Sequence, residues 1–353
     1  MSFKRLEADD FVVSSDAISA TAWTTNLPTL TAFYTSSVQV NGSSGDYYVN
    51  VFDTAATSSV QFAIAYGNNF GSGSSVYNPA VDGLSPTSTI FGQWQDLVIG
   101  DENTLFQFGA ISSSEFFALP IERQCYKEAI FLGSLSLTIK GPTAASGSIT
   151  LTDNSAYVTT TVFNEAGRVF QLISGSQGVR YTGSATTSDG FSANSGSYGW
   201  LLPDIGTIIL NPLALAAPPI SGGISFAYSG SNFSGSAVYN SNTNANSQLF
   251  KAISGSISGV APSFTLNSQE TITSDYVFVR PRSSEFNYSE NPSFISGSTG
   301  EVLYSQFINN PQTYITTIGL YNDTNELLAV AKLSRPLLKD FTKEALVRVK
   351  LDF

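Results

Sequence analysis

The sequence predicts an all-β protein of antiparallel, sandwich-like domains with a Gly/Ser/Asn-rich β insertion. Charged residues make up only 12% of the chain, about half of the ~25% usual for soluble domains. Ser, Thr, Gly, Asn, Val, Phe and Tyr take their place, which favours strands and turns over helices. Ser134-Leu-Ser-Leu-Thr-Ile-Lys140 and Val347-Arg-Val-Lys-Leu-Asp-Phe353 alternate apolar with polar residues, the period of two that buries one face of a strand. With 353 residues the chain has room for two or three domains, each with its own core.

Residues 1–40 carry a charged tip, Lys4 to Asp10, and then a Ser/Thr-rich stretch with scattered apolar residues and no period. They read as an extended N-terminal arm, lying on another subunit or solvated. A β domain is expected over 41–140. Its strands are Tyr47–Phe52 and Ser59–Tyr66, followed by a glycine-rich loop, Gly67–Ser75, that lacks the Gly-Lys-Ser/Thr of a phosphate-binding loop. Ser88–Ile99 and Thr104–Phe108 read as a hairpin around residues 100–103. Phe116 to Glu128 reads as a strand that runs into a charged stretch with a short helical turn.

Ser134–Lys140 is expected to pair with Ser148–Thr152 across a tight connection. From 141 to 275 basic residues are reduced to Arg168, Arg180 and Lys251, while Ser-Gly and Asn-Ser pairs recur. This segment reads as a loop-rich β insertion with strands at Tyr157–Phe163, Arg168–Ile173, Thr207–Leu210, Gly223–Tyr228 and Ser263–Leu266. A C-terminal β domain, 276–353, follows and is suited to completing the 41–140 domain. Tyr276–Arg280 shows strand character, and Glu301–Phe307 leads through Asn309-Asn-Pro311 into the terminal hairpin. Tyr314–Tyr321 and Leu327–Leu333 form a hairpin across the polar loop Asn322–Glu326, and Pro336 interrupts the ladder. The final alternating strand is expected in one sheet with this hairpin, burying Val347, Val349, Leu351 and Phe353.

The formal net charge of -11 argues against general nucleic-acid or anionic-membrane binding, which calls for a basic surface. Residues 332–353 reverse that sign locally, with six basic and three acidic side chains. This suits either a solvated basic edge that discourages strand addition or docking onto an acidic neighbour. Without histidine and with Cys125 as the single cysteine, neither a disulfide within the chain nor any histidine-based metal or catalytic site can form. Cys125 is expected to pack as a small apolar side chain. No run of 18 apolar residues exists and the start lacks a secretory apolar region, so a chain that stays soluble in a cytosol until assembly is expected.

Asp9-Asp10 and Asp101-Glu102 would suit a two-carboxylate hydrolase only if they faced each other across a substrate. Neighbouring strand residues point to opposite faces, and turn chemistry between Gly100 and Asn103 accounts for Asp101-Glu102. Asn322-Asp-Thr-Asn-Glu326 lacks the glycine and distal glutamate of a calcium loop and reads as a hairpin loop. No metal or cofactor is expected. The aromatics Tyr47, Tyr48, Tyr157, Tyr198, Trp200 and Tyr314 suit the core, subunit contacts or sugar stacking.

Ile315-Thr-Thr-Ile-Gly-Leu-Tyr-Asn-Asp-Thr-Asn-Glu-Leu-Leu-Ala-Val-Ala-Lys332 resembles a stretch near the N-terminus of tail-collar fibre proteins of tailed phages. Phe11–Asp16, Ser85–Gln93, Arg123–Glu128 and Phe286–Pro292 together resemble virion structural proteins of T4-like marine myoviruses. The resemblance implies a virion component assembled in a bacterial cytoplasm with other virion proteins as partners. A non-enzymatic structural role in tail, neck or baseplate is therefore expected, as a homo-oligomer or within a symmetric assembly. The alternatives are a capsid decoration protein and a host-glycan adhesin, with a hydrolase last. Subunit contacts are expected of Phe3, Phe11 and Trp23 in the arm, and of Lys339, Lys343 and Arg348 at the basic end.

Overall fold

Phe116-Phe-Ala-Leu119, Trp200-Leu-Leu202 and Ile208-Ile-Leu210 are unbroken apolar runs, the pattern of strands buried on both faces. The computed structural model describes residues 3–35, 48–53, 58–71, 87–101, 103–183, 185–226, 245–254 and 261–352. In it these runs lie inside a large antiparallel sheet, and the protein is all-β as expected. The chain divides into two units, residues 18–270 and a second built from both ends, 1–17 with 271–353.

Strand β1 (Phe11–Thr21) begins in the unit of the two ends and finishes in the 18–270 unit. The latter then contains β2 (Thr29–Leu30), β3 (Tyr34–Thr35), β4 (Tyr48–Phe52), β5 (Val60–Asn68), β6 (Phe106–Phe108), β7 (Ile111–Ser113) and β8 (Glu115–Pro120). It continues with β9 (Ala129–Ile130), β10 (Ser136–Lys140), β11 (Ser148–Asp153), β12 (Val162–Asn164), β13 (Gly167–Ser176) and β14 (Val179–Arg180). β15 (Gly199–Leu202), β16 (Thr207–Leu210) and β17 (Phe264–Thr265) complete it. The large sheet runs β2-β17-β10-β11-β13-β15-β16-β8-β5-β4-β3, with β12 and β14 attached to β13.

Alternation sorts its side chains into two cores. Phe117, Leu119, Leu201, Ile208 and Leu210 enter one, together with Trp23, Phe62 and Phe264. Helices α2 (Pro212–Ala216) and α3 (Ala245–Ser254) contribute Ala214, Leu215, Leu249 and Ile253 to it. Phe116, Ala118, Trp200, Leu202 and Ile209 enter the other, with Phe91, Val98, Phe106 and Phe108.

Phe91 and Val98 belong to a helix, α1 (Thr87–Ile99), which corrects the expected strand over Ser88–Ile99. Ile90, Phe91, Trp94 and Val98 recur at helical spacing. Gly100, at φ 74°, ends the helix by donating to the carbonyls of Gln95 and Asp96. The hairpin expected there is instead β6–β7, turning at Gly109.

The β10–β11 hairpin forms as expected, with Leu137 opposite Leu151 and Ile139 opposite Ile149. Residues of the expected 141–275 insertion then run through the middle of the same sheet: β16 pairs with β8, placing Ile208 opposite Leu119. The strand expected over Tyr157–Phe163 shrinks to β12, because Tyr157 donates back to the Asn154 carbonyl in a turn. Residues 223–226 form no strand, and 227 and 228 lie outside the described residues, as do Tyr47 and 72–75.

Near β12, Arg168 grips Asp204 with its Nε at 3.0 Å from Oδ1 and a backbone N–H at 2.8 Å from Oδ2. Gly167, at φ 102°, leaves room for it, since a Cβ there would lie 2.5 Å from the carboxylate. Burial works against the Asp204 charge, but the Arg168 hydrogen bonds and charge hold its pKa below the ordinary 3.8. A lowered folded pKa means that this stabilisation is complete above the unfolded value and disappears as pH falls through the folded one. The stability gap between the native chain and Asp204→Asn should accordingly be constant near neutrality and close only in acid below about pH 4. Urea titrations across pH check this.

The unit of the two ends contains β18 (Asn267–Val279), which starts in the other unit, then α4 (Gln306–Asn309), β19 (Gln312–Tyr321), β20 (Leu327–Asp340) and β21 (Val347–Asp352). β1, β18 and β21 form one sheet. Residues 11–21 of the expected extended arm thus form a strand on the chain's own β18. β21 lies antiparallel to β18, with Val349 opposite Val277 and Val347 opposite Val279. Val349 is buried and Val347 and Leu351 are half-buried, whereas Phe353 lies outside the described residues. The expected single sheet does not form: among the described residues β19 and β20 pair only with each other, because the chain leaves the hairpin at Asp340 and returns to the longer β18. The segment from Glu301 is irregular and runs into α4 ahead of the hairpin.

Candidate interaction surface

The β19–β20 hairpin extends the expected 314–333 ladder at its open end to Gln312 opposite Asp340. Its register jumps where Thr316 faces residues 333–336, and Pro336, which has no N–H to give, sits in that bulge. Beyond the bulge Lys339 anchors the base. Its ammonium is fully buried and donates to Asn287 Oδ1 (2.7 Å), the Ser283 carbonyl (3.0 Å) and the Asp340 carbonyl (3.1 Å). Burial pulls its pKa down, opposed by Asp340, Glu285 and Glu344. At the tip, Asn322 Oδ1 accepts from the Thr324 and Glu326 amides, and Asn325 takes φ 64°. These bonds close the loop on itself, the Asx chemistry of a turn.

Between base and tip the ribbon is exposed. Tyr314, Leu327, Leu328 and Val330 keep 63%, 53%, 68% and 58% of their surface. An open groove of about 1600 Å³ lies along it, lined by Ile315, Ile318 and Leu320 of β19 and by Phe11, Val277, Val279, Val347 and Leu351 of the β1–β18–β21 sheet. Phe3 meets Tyr321 edge-on at 5.3 Å, and Lys4 reaches Glu285 at 3.1 Å. The Arg282 amide, and then Lys4, hold Glu285 below the usual carboxylate range.

Of the residues expected at subunit contacts, Phe3, Phe11, Lys343 and Arg348 are exposed. Lys343 pairs with Asp340 at 3.3 Å, and the Arg348 guanidinium sits 5.4 Å from the Tyr276 ring centre. Trp23 and Lys339 are corrections, since both are buried within the chain, one as core and the other as a strut. The exposure of Leu327, Leu328 and Val330 was missed because apolar alternation reads as a buried strand face. No local signal revealed it, because the apolar strand 347–353 that follows could have covered the hairpin.

Elsewhere the polar groups are used locally. Asp10 accepts from the Glu7 amide in a turn, and Asp101 from the Asn103 amide, while Glu102 lies outside the described residues. Burial, and then Glu122, push the Cys125 thiol up to about 12. Glu115, raised by burial, accepts from the Tyr66 hydroxyl at 3.0 Å. Tyr198 and Trp200 are core residues with no face free for a sugar, and one face of Tyr157 is covered by Arg180 at 4.7 Å. No protein-family model, characterised protein or solved structure matches the chain.

Proposed function

We propose that this chain is a non-enzymatic structural component of a tailed-phage particle, in its tail, neck or baseplate, and that it meets neighbouring virion proteins through the β19–β20 hairpin. The observation that carries the reading is that hairpin itself. A two-stranded ribbon is marginally stable in water, yet this one bares Tyr314, Leu327, Leu328 and Val330. Contiguous apolar surface of that kind marks a place where another molecule sits. The resemblance of 315–332 to tail-collar fibre proteins supports the placement, and the acidic balance of the chain argues against nucleic acid and membrane as partners.

Exposed substitutions separate assembly from folding. Leu328→Ser with Val330→Ser should change the stability of the isolated chain by no more than about 0.5 kcal/mol per site while preventing its incorporation into particles. Melting curves and the composition of purified particles read the two effects. Normal incorporation of that variant would sink the proposal.

A further inference from the structure

We propose that Lys339 and Asn287 react with each other to form an amide bond between their side chains, a covalent staple at the base of the β19–β20 hairpin. The staple is independent of whatever partner the hairpin meets. Lys339 lies in β20 and Asn287 in the segment that follows β18, and both are buried, with 0% and 2% of their surface exposed. Lys339 Nζ lies 2.7 Å from Asn287 Oδ1. Asn287 Cγ, one C=O bond further, is therefore no more than about 3.9 Å from the nitrogen, near the ~3–3.5 Å of atoms poised to react.

Each N–H of the ammonium has one acceptor: Asn287 Oδ1, the Ser283 carbonyl at 3.0 Å and the Asp340 carbonyl at 3.1 Å. Once the proton on the Asn287 side is lost, the two main-chain carbonyls hold the remaining N–H groups and the lone pair faces the Asn287 amide. Asn287 Nδ2, the nitrogen that would leave, donates to the same Ser283 carbonyl at 2.7 Å, so nucleophile and leaving group flank one oxygen. Burial pulls the Lys339 pKa down and so favours the neutral amine, the form that attacks. Immediately before Asn287, Phe286 takes φ 54°, a left-handed backbone that a bulky side chain adopts only under strain. Strain of this kind gathers at functional sites.

The chemistry needs no second molecule. The Lys339 ammonium gives one proton to a carboxylate, and Asp340, Glu285 and Glu344 all act on it through their charge. Nζ then attacks Asn287 Cγ, a second proton passes from Nζ to Nδ2, and the Cγ–Nδ2 bond breaks to release ammonia. The carboxylate returns its proton to the ammonia, so one ammonium replaces another and nothing is oxidised or reduced. The new amide joins side chains 52 positions apart, and closing a loop of that length removes conformational freedom from the unfolded chain. A ribbon that is marginal by itself is thereby tied at its base to the segment after β18.

Mass spectrometry of the full native chain reads the bond directly. Its mass should lie about 17 Da, one ammonia, below the sum of its residues. After denaturation trypsin should fail to cut at Lys339 and should release one branched peptide, 283–332 joined to 333–343, whose fragments place the link between Asn287 and Lys339. Lys339→Arg keeps the charge without a nucleophilic amine and should keep the full mass, as should Asn287→Ala, which trypsin should also cut at Lys339. The native chain decides the matter by itself, even where a variant folds poorly. A native chain of full mass that is cut at Lys339 overturns the proposal. A loss of ammonia that persists in Lys339→Arg overturns it too, because an asparagine closing on its own backbone would then account for the mass.

Discussion

Trp23→Ala is expected to destabilise the 18–270 unit by about 3–5 kcal/mol, the range for deleting a buried aromatic side chain. Trp23 keeps 2% of its surface. Its ring meets Phe264 edge-on at 4.8 Å and Phe62 at 6.4 Å, and Ala22, Leu30 and Phe33 belong to the same core. The indole N–H donates to the Phe264 carbonyl at 3.0 Å. Alanine therefore opens a cavity and removes a buried donor together. Trp23→Phe keeps most of the apolar volume and should cost far less, about 1–2 kcal/mol, much of it the lost hydrogen bond. Urea midpoints of the isolated chain distinguish this from the role the sequence suggested. An assembly contact would leave the Trp23→Ala midpoint unchanged and weaken only incorporation.

The difference over Trp23 shows where sequence reasoning stops. β10, β11 and β16 were legible because local alternation or an apolar run between turn residues is enough to define a strand. α1 was not, because Thr, Ile, Phe and Trp favour strands individually, and their helical spacing over 87–99 decides the matter only once β-sheet neighbours claim one face. The pairing of β16 with β8 joins residues almost ninety apart, as Ile208 with Leu119. A Ser/Gly-rich composition between them says nothing about such a contact, so 141–275 looked like an insertion. Lys339 was read as a surface charge from its basic surroundings. Its burial depends on Asn287 and Ser283, carbonyl partners more than fifty residues away that no local pattern reveals. The hairpin was legible as a hairpin, but its solitude was not, because only the fold shows that β21 goes to β18 instead.

Deleting residues 346–353 is expected to unfold the sheet of the two-ended unit while the 18–270 unit stays folded. β21 supplies β18 with the whole ladder from Ser274 opposite Asp352 to Val279 opposite Val347. Val349 and Val277, both buried, face each other on it, and the Ser274 hydroxyl donates to Asp352 Oδ1 at 2.6 Å. A fully buried valine contributes about 1.5–3 kcal/mol, and half-buried Val347 and Leu351 add smaller shares. Truncation removes all of these and exposes Val277 to water beside an unpaired strand. A hairpin such as β19–β20 has too little burial of its own to compensate. Hydrogen exchange reads the result by region: amides of 274–279 should lose protection, while those of β10 and β11, inside the large sheet, keep theirs. If 274–279 remain as protected as in the native chain, β21 is dispensable and the sheet is held by β1 alone.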